Sequence, residues 1–125
     1  TLFRSLKDAS GNNSIATSFV AGGSAKSWSN FNGTDDTIRD SFNVSTLTDR
    51  GSGLWTLTVT NNFGNDDYSG SGSAADSYPD ADAKNRMILN MPNSASEIYI
   101  NGFTTDGGGD STLVYISSSN HGDLA

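Results

Sequence analysis

The sequence predicts an all-β fold, an antiparallel β-sandwich or jelly-roll-like domain, and three observations support this. Ser, Thr, Asn, Asp and Gly supply more than half of the 125 residues, and these residue types disfavour helices. Several short runs alternate between apolar and polar residues with the period of two that strands require. Turn-forming sequences separate these runs. We therefore expect about seven strands.

The clearest strand runs from Leu54 to Thr60, where large apolar residues alternate with threonine. A second extended run, Phe42 to Thr48, precedes it. Residues 49–53 between them read Asp-Arg-Gly-Ser-Gly, and glycine readily adopts the positive φ that tight turns need. A β-hairpin is therefore predicted over about residues 42–60.

The second run of this hairpin has an irregular pattern. Phe42 and Val44 share one face of an extended chain, whereas Leu47 falls on the other. Either a β-bulge near Ser45 resets the register, or another chain buries Leu47.

The remaining runs complete the predicted set. They are Lys26–Asn32, Arg86–Met91, Glu97–Phe103 and Thr112–Ser117, with a weak edge strand at Tyr68–Ser73 inside a long loop over residues 61–84. Residues 87–91 and 113–116 are apolar on both faces, which indicates cover by the core on one side and by a neighbouring subunit on the other. Trp28 and Trp55 both lie on alternating strands, so we expect both in the core. If exposed, they would serve as sugar-stacking platforms.

Composition restricts the class of protein. Leu, Ile, Val and Phe supply 24 of 125 residues and the formal net charge is -7, which indicates a thin core that gains burial from partner subunits. The absence of cysteine excludes disulfides and thiolate metal sites. Seven scattered basic residues argue against nucleic acid as a partner. No apolar run approaches the roughly 18 residues of a membrane span, so no membrane insertion is expected.

Three strings in the first half of the chain resemble a known family. They are Trp-Ser-Asn-Phe-Asn-Gly-Thr at Trp28 to Thr34, Ile-Arg-Asp-Ser-Phe-Asn-Val at Ile38 to Val44, and Thr-Asp-Arg-Gly-Ser-Gly at Thr48 to Gly53. Together they resemble a module of marine tailed bacteriophage structural proteins, notably cyanophage tail fibres. Two departures are Ser29, where the family has an aliphatic residue, and Asp35-Asp36, where it has a glycine-containing link.

The resemblance covers about residues 25–60, and residues 6–14 are similar to the stretch that precedes the module. We accordingly divide the chain into a leading or linker segment, residues 1–24, and a single β domain, residues 25–125. The resemblance implies a homotrimeric tail-fibre-type protein on the virion surface that contacts other virion or tail proteins and attaches to a host surface glycan or protein. It implies no catalytic residue.

Two alternative functions remain open. One is a structural virion component, either a head decoration or a fibre shaft segment, and the other is a glycan-degrading tail spike. Shafts tend to repeat, and the chain has no internal repeat, which favours recognition.

Catalytic chemistry is not predicted. Carboxylates are numerous, with thirteen Asp and a single Glu, Glu97, but most lie in Gly- and Ser-rich turns, where Asp commonly stabilises the turn itself. His121, the single histidine, is too close along the chain to Ser119 and Asp123 to form a catalytic triad with them. No cofactor is predicted. A structural Ca²⁺ remains an alternative at residues 106–110 and 65–67.

Two loops are the predicted receptor-binding region. Ser69 to Lys84 and Thr104 to Ser111 combine glycine, clustered carboxylates and a neighbouring aromatic. Carboxylates can accept hydrogen bonds from sugar hydroxyls while an aromatic ring covers an apolar sugar face, which suits a neutral or cationic glycan. The candidate receptor-binding residues are Tyr78, Asp80, Asp82, Phe103, Asp106 and Asp110.

Overall fold

The computed structural model describes residues 5–76, 85–105 and 113–125. The described chain is mostly antiparallel β, as the composition predicts. Its elements are β1 (Ser5–Lys7), β2 (Ser14–Ala16), α1 (Thr17–Gly23), β3 (Ser27–Asn32), β4 (Thr37–Phe42), β5 (Val44–Gly51), β6 (Leu54–Val59), β7 (Ser69–Ala75), β8 (Arg86–Ser94), β9 (Glu97–Thr104) and β10 (Tyr115–His121). These described strands exceed the predicted number of about seven.

The strands form one small ribbon and two larger sheets. β1 pairs with β2, the first sheet has the order β4-β3-β10-β7, and the second has the order β5-β6-β9-β8. One hydrophobic cluster lies between the larger sheets, and Phe31 of β3 meets Trp55 of β6 edge to face across it, with ring centroids 5.6 Å apart. This packing agrees with the predicted sandwich. The jelly-roll-like connectivity and the homotrimer stay predictions.

The chain passes from the first sheet to the second at Asn43. This residue has φ of 56°, a left-handed conformation that Asn tolerates better than most residues. Its Nδ2 donates to the carbonyls of Lys26 (2.9 Å) and Asn61 (3.0 Å). The prediction of one continuous strand through residue 43 is therefore wrong: Phe42 is 54 % exposed on the first sheet, whereas Val44 packs against the core on the second.

A β-bulge sets the register of the next hairpin. The pairing of β5 with β6 shifts between Val44 and Thr46, and the Oγ of the intervening Ser45 donates to the carbonyl of Thr58 at 3.0 Å. Beyond the bulge Leu47 packs against the core. Of the two alternatives for Leu47, the structure shows the bulge near Ser45, and the hairpin turn contains positive φ at Gly51 and Gly53.

Other parts of the chain add to the predicted elements. β1, β2 and α1 lie within residues 1–24, the proposed leading or linker segment, and β4 is a further strand between two predicted ones. The predicted long loop over residues 61–84 contains β7, which confirms a strand at the sheet edge, and also two buried aromatic rings. Those rings, Phe63 and Tyr68, stack with centroids 4.0 Å apart.

Small residues in β7 allow the two sheets to approach at one side of the domain. A Cβ atom at Gly72 would lie 2.4 Å from Ile88 Cδ1 of β8, a distance that real side chains do not tolerate. One residue earlier, the Ser71 carbonyl accepts a hydrogen bond from Asn90 Nδ2 at 2.9 Å. The glycine-rich sequence of β7 thus serves close packing between sheets.

Candidate functional site

Most of the predicted receptor-binding residues lie outside the described part of the chain. Tyr78, Asp80, Asp82, Asp106 and Asp110 belong to this group. Phe103 is described: it lies on β9, half-buried, in register with Met87 of β8. It is therefore a residue of the sheet surface next to the second predicted loop.

The structural Ca²⁺, which the sequence leaves open only as an alternative, concerns two places in the chain. Residues 106–110 fall outside the described ranges. At the other candidate, Asn65 Oδ1 accepts a hydrogen bond from the Asp67 backbone N–H at 2.9 Å, which is an ordinary Asx turn. Across residues 5–76, 85–105 and 113–125, no group of three or more His, Cys, Asp or Glu side chains is placed to hold a metal ion.

The outer side of the second sheet is largely apolar, and we call it the methionine face. Its apolar residues are Met87, Leu89, Met91, Leu54, Tyr99 and Phe103, and the polar residues Asn101 and Thr56 lie among them. The three β8 residues are 48 %, 45 % and 42 % exposed, because the alternation of β8 turns Ile88 towards the core and these side chains outward. Contiguous exposed apolar patches usually mark interaction sites. Ile88 thus meets the core as predicted for one side of this run, and cover of the other side by a neighbouring subunit stays a prediction.

A depression of about 190 Å³ lies on this face. Its lining residues are Arg50, Leu54, Trp55, Met91, Tyr99, Ile100 and Asn101. The Arg50 guanidinium lies 5.7 Å from the centroid of the Tyr99 ring and donates from Nη2 to the tyrosine hydroxyl at 3.1 Å. The depression therefore combines apolar walls with one cation at its edge, which suits contact with another protein chain.

The outer side of the first sheet is different, and we call it the tryptophan face. It carries Trp28 and Phe42, which are register partners, and the polar residues Asn30, Asp40, Ser73 and Ser117. Trp28 is 38 % exposed, so its predicted place in the core is wrong, whereas Trp55 is 2 % exposed and its prediction is confirmed.

Buried hydrogen bonds explain the orientation of β3. Its inward positions are Ser27, Ser29 and Phe31. Ser29 Oγ lies 2.8 Å from Ser118 Oγ, and Asn120 Nδ2 donates to Ser27 Oγ at 3.2 Å. Because the two serine hydroxyls have partners, their burial costs less than that of unpaired hydroxyls, and Trp28 is left outside. Asn120 is satisfied only in part: its Nδ2 donates to Ser27, whereas its buried Oδ1 has no partner among the described residues.

The polar part of the tryptophan face forms a second depression, of about 140 Å³. Asn30, Ser73, Tyr115 and Ser117 contribute to its lining. The two serine hydroxyls are 2.9 Å apart, and each can donate and accept hydrogen bonds.

A cation borders this depression. Arg39 lies over the Tyr115 ring with its Cζ 4.1 Å from the ring centroid. It donates from Nη2 to the Val114 carbonyl at 2.8 Å and from Nη1 to Asn30 Oδ1 at 3.3 Å. Its guanidinium is thus already engaged by groups of the protein.

The sequence indicates a subunit contact at residues 87–91 and offers a sugar platform at Trp28 only as the alternative to burial, so the tryptophan face is the one that sequence reasoning missed, although a signal for it exists. Ile116, Ser118 and Asn120 alternate along β10 in the same way as Ser27 and Ser29 along β3, and two polar alternations that can pair predict a buried hydrogen-bonded contact. The methionine face was visible as an apolar run, but nothing in the sequence shows which of its sides the core would occupy.

No protein-family model matches the chain, and no match was found among curated proteins or among solved structures. In the part of the chain that the structure describes, no helix has the length and apolar character needed to cross a membrane.

Proposed function

We propose that the chain is a non-enzymatic, tail-fibre-type domain of a bacteriophage virion surface protein that assembles into a homotrimer and attaches to the host surface. The observation that carries the proposal is the contrast between the outer faces of the two sheets. One is an apolar surface suited to subunit contact, and the other exposes an aromatic ring among hydroxyl and carboxamide groups.

The family-like strings support the proposal because they lie at positions that organise the fold. Trp28 to Thr34 comprises most of β3 and the start of the following turn, Ile38 to Val44 contains most of β4 and the crossover, and Thr48 to Gly53 contains the hairpin turn. The departure at Asp36 has a structural reason. Asp36 has φ of 56°, and its carboxylate accepts a hydrogen bond from Trp55 Nε1 at 2.9 Å.

Assembly is proposed to use the methionine face. Fully burying a Met or Leu side chain stabilises by roughly 1.5–3 kcal/mol, and these side chains are about half exposed, so an interface would gain about half that amount from each. Three residues in a row on β8 offer this gain together with the aromatic rings of β9. Closed symmetry would bury the face in every subunit.

Light scattering on the intact chain tests the assembly. We expect about three times 13.1 kDa, and we expect the triple variant Met87→Thr, Leu89→Thr, Met91→Thr to be a monomer. Phe42→Thr is the control, because it removes an apolar side chain of at least similar exposure from the tryptophan face. A folded wild-type monomer at micromolar concentration contradicts the homotrimer.

Attachment is tested with the fluorescently labelled chain and cells of marine cyanobacteria. Saturable binding to at least one strain in flow cytometry is the expected result. The structural alternative, a head decoration or shaft segment, needs only the methionine face for assembly and no binding site for the host. It predicts a trimer that binds no cells.

A further inference from the structure

We propose that the tryptophan face is a binding site for a neutral oligosaccharide, with Trp28 as the stacking platform and the neighbouring depression as the polar subsite. The inference rests on the proposed attachment function and specifies its ligand class and location. Both parts of the site lie on the described strands of the first sheet.

Trp28 has the position of a platform. It is 38 % exposed at the centre of three strands, with Phe42 of β4 on one flank and Ser119 of β10 on the other in register. An indole ring offers a large rigid apolar surface together with one N–H donor. Such a surface can cover the C–H face of a sugar ring, while the small Ser119 leaves room on one side.

The polar subsite lies one step along the same face. Asn30 is two residues from Trp28 on β3, which places their Cα atoms about 7 Å apart, close to the length of one monosaccharide. The depression there is about 140 Å³ and is lined by Asn30, Ser73 and Ser117, among others. Hydroxyl and carboxamide groups donate and accept, and Asp40, the register partner of Asn30, only accepts. This mixture matches sugar hydroxyls, which also donate and accept.

The charges near the face favour a neutral ligand. The Arg39 guanidinium is held by Tyr115, Val114 and Asn30. Lys26, two residues before Trp28, donates from Nζ to the carbonyl and Oγ of Ser24 at 3.0 and 2.9 Å. Both nearby cations keep their charge but donate their hydrogen bonds to neutral groups of the protein, so few of their donors are free for a sugar carboxylate or sulfate. Asp40 and the net charge of -7 oppose an anionic ligand further.

The tryptophan face is also less suited to a second copy of the chain than the methionine face is. Its centre is polar, and covering Asn30, Ser73 and Ser117 with apolar groups would cost hydrogen bonds to water. The methionine face carries no such cost along β8. A sugar, by contrast, replaces water with its own hydroxyls.

The first experiment uses the wild-type chain and a panel of hexasaccharides. The neutral members are oligomers of glucose, galactose, mannose and N-acetylglucosamine, and oligogalacturonate is the anionic member. Binding is followed by acrylamide quenching of tryptophan fluorescence, which reports mainly Trp28 because Trp55 is 2 % exposed. We expect at least one neutral oligomer to bind and to reduce quenching, and oligogalacturonate to have no effect.

The second experiment compares variants. Trp28→Leu keeps an apolar side chain but removes the ring, and we expect at least a tenfold weaker affinity for the neutral oligomer on a glycan array. Phe19→Leu is the control, because Phe19 is an aromatic residue 74 % exposed on α1, outside both faces. It should bind as the wild type does.

Several results would overturn the inference. These are no binding of any neutral member, binding of oligogalacturonate alone, unchanged quenching of Trp28 on binding, or equal affinity of a folded Trp28→Leu variant. The quenching test needs no substitution, so the inference stays testable even if Trp28→Leu fails to fold. Cell binding separates the two proposals. If the wild type and Trp28→Leu bind cells equally, attachment stands and the sugar site at Trp28 is contradicted. If the wild type binds the neutral sugar but no cells, the sugar site stands and attachment is contradicted.

Discussion

The two tryptophans of this chain lie on neighbouring layers and have opposite environments. Trp55 of β6 is buried between the sheets, where its indole N–H donates to Asp36. Trp28 of β3 faces outward beside Phe42. Both lie on strands with alternating polarity, so the period of two alone does not decide which side of a strand is buried.

The difference shows that two kinds of inward face build this core. On β6 the inward residues are Trp55, Leu57 and Val59, and burial follows hydrophobicity. On β3 the inward serines are buried because β10 supplies hydrogen-bond partners. A core with few large apolar residues can therefore be completed by paired polar groups, and an aromatic ring then becomes available for the surface.

The largest expected effect is the difference in stability between variants that lack one or the other tryptophan ring. Trp55→Ala should lower the free energy of unfolding by about 3–5 kcal/mol, because it removes the ring that packs against Phe31 and leaves a cavity. Trp28→Ala should lower it by about 1 kcal/mol or less, since surface substitutions have small effects. Urea denaturation followed by circular dichroism measures both values.

Equal destabilisation by the two substitutions would contradict the contrast between a buried Trp55 and an exposed Trp28. A loss of several kcal/mol in Trp28→Ala would show that its ring is covered in the assembled protein. Repeating the measurement with the monomeric triple variant of the methionine face would then show whether that cover comes from another subunit.

A smaller effect is expected at the buried serines. Ser29→Ala leaves Ser118 Oγ buried without its partner and should cost about 1–3 kcal/mol, whereas changing both serines to alanine should cost less than the sum of the single changes. The control is the Ser73–Ser117 pair, which has nearly the same separation, 2.9 Å, but is exposed. A double-mutant cycle on each pair measures the coupling, and equal coupling energies would contradict the role assigned to the buried pair.

The sequence predicted those features of the fold that depend on local pattern. The β5–β6 hairpin and the burial of Trp55 follow from alternation and glycine placement within one stretch of chain, and the bulge near Ser45 is one of the two alternatives that the same pattern allows. It did not predict the crossover at Asn43, because an extended run continues through that residue, and only hydrogen bonds to Lys26 and Asn61 show the change of sheet.

The candidate site was less predictable for the same reason. The orientation of Trp28 depends on Ser118 and Asn120, about ninety residues away in sequence. From sequence, recognition is expected in loops, since they are free to vary, and the predicted loops contain residues near 80 and 106. The apolar run at residues 87–91 is recognisable from sequence as a candidate subunit contact, whereas the tryptophan face becomes a candidate only when the pairing of distant strands is known.

The smallest expected effect concerns Tyr68, a third large aromatic residue whose burial depends on its polar tip. Its hydroxyl donates to the Glu97 carbonyl at 2.7 Å and also lies 3.1 Å from that of Ser94. Burial raises the pKa of Tyr68 above its usual value of 10.0.

The folded protein therefore holds the Tyr68 proton more tightly than the unfolded chain does. This contribution to stability is fully present below about pH 10 and is lost as the pH rises through the raised pKa. Tyr68→Phe should cost about 1 kcal/mol at pH 7 through the lost hydrogen bond and should weaken the alkaline loss of stability between pH 9 and 11. Urea midpoints across that range measure the effect. If Tyr68→Phe lost stability as steeply as the wild type between pH 9 and 11, ionisation of the Tyr68 hydroxyl would not be the cause of that loss. The hydroxyl of Tyr68 would then differ from the indole N–H of Trp55, whose burial is accompanied by a hydrogen bond to Asp36.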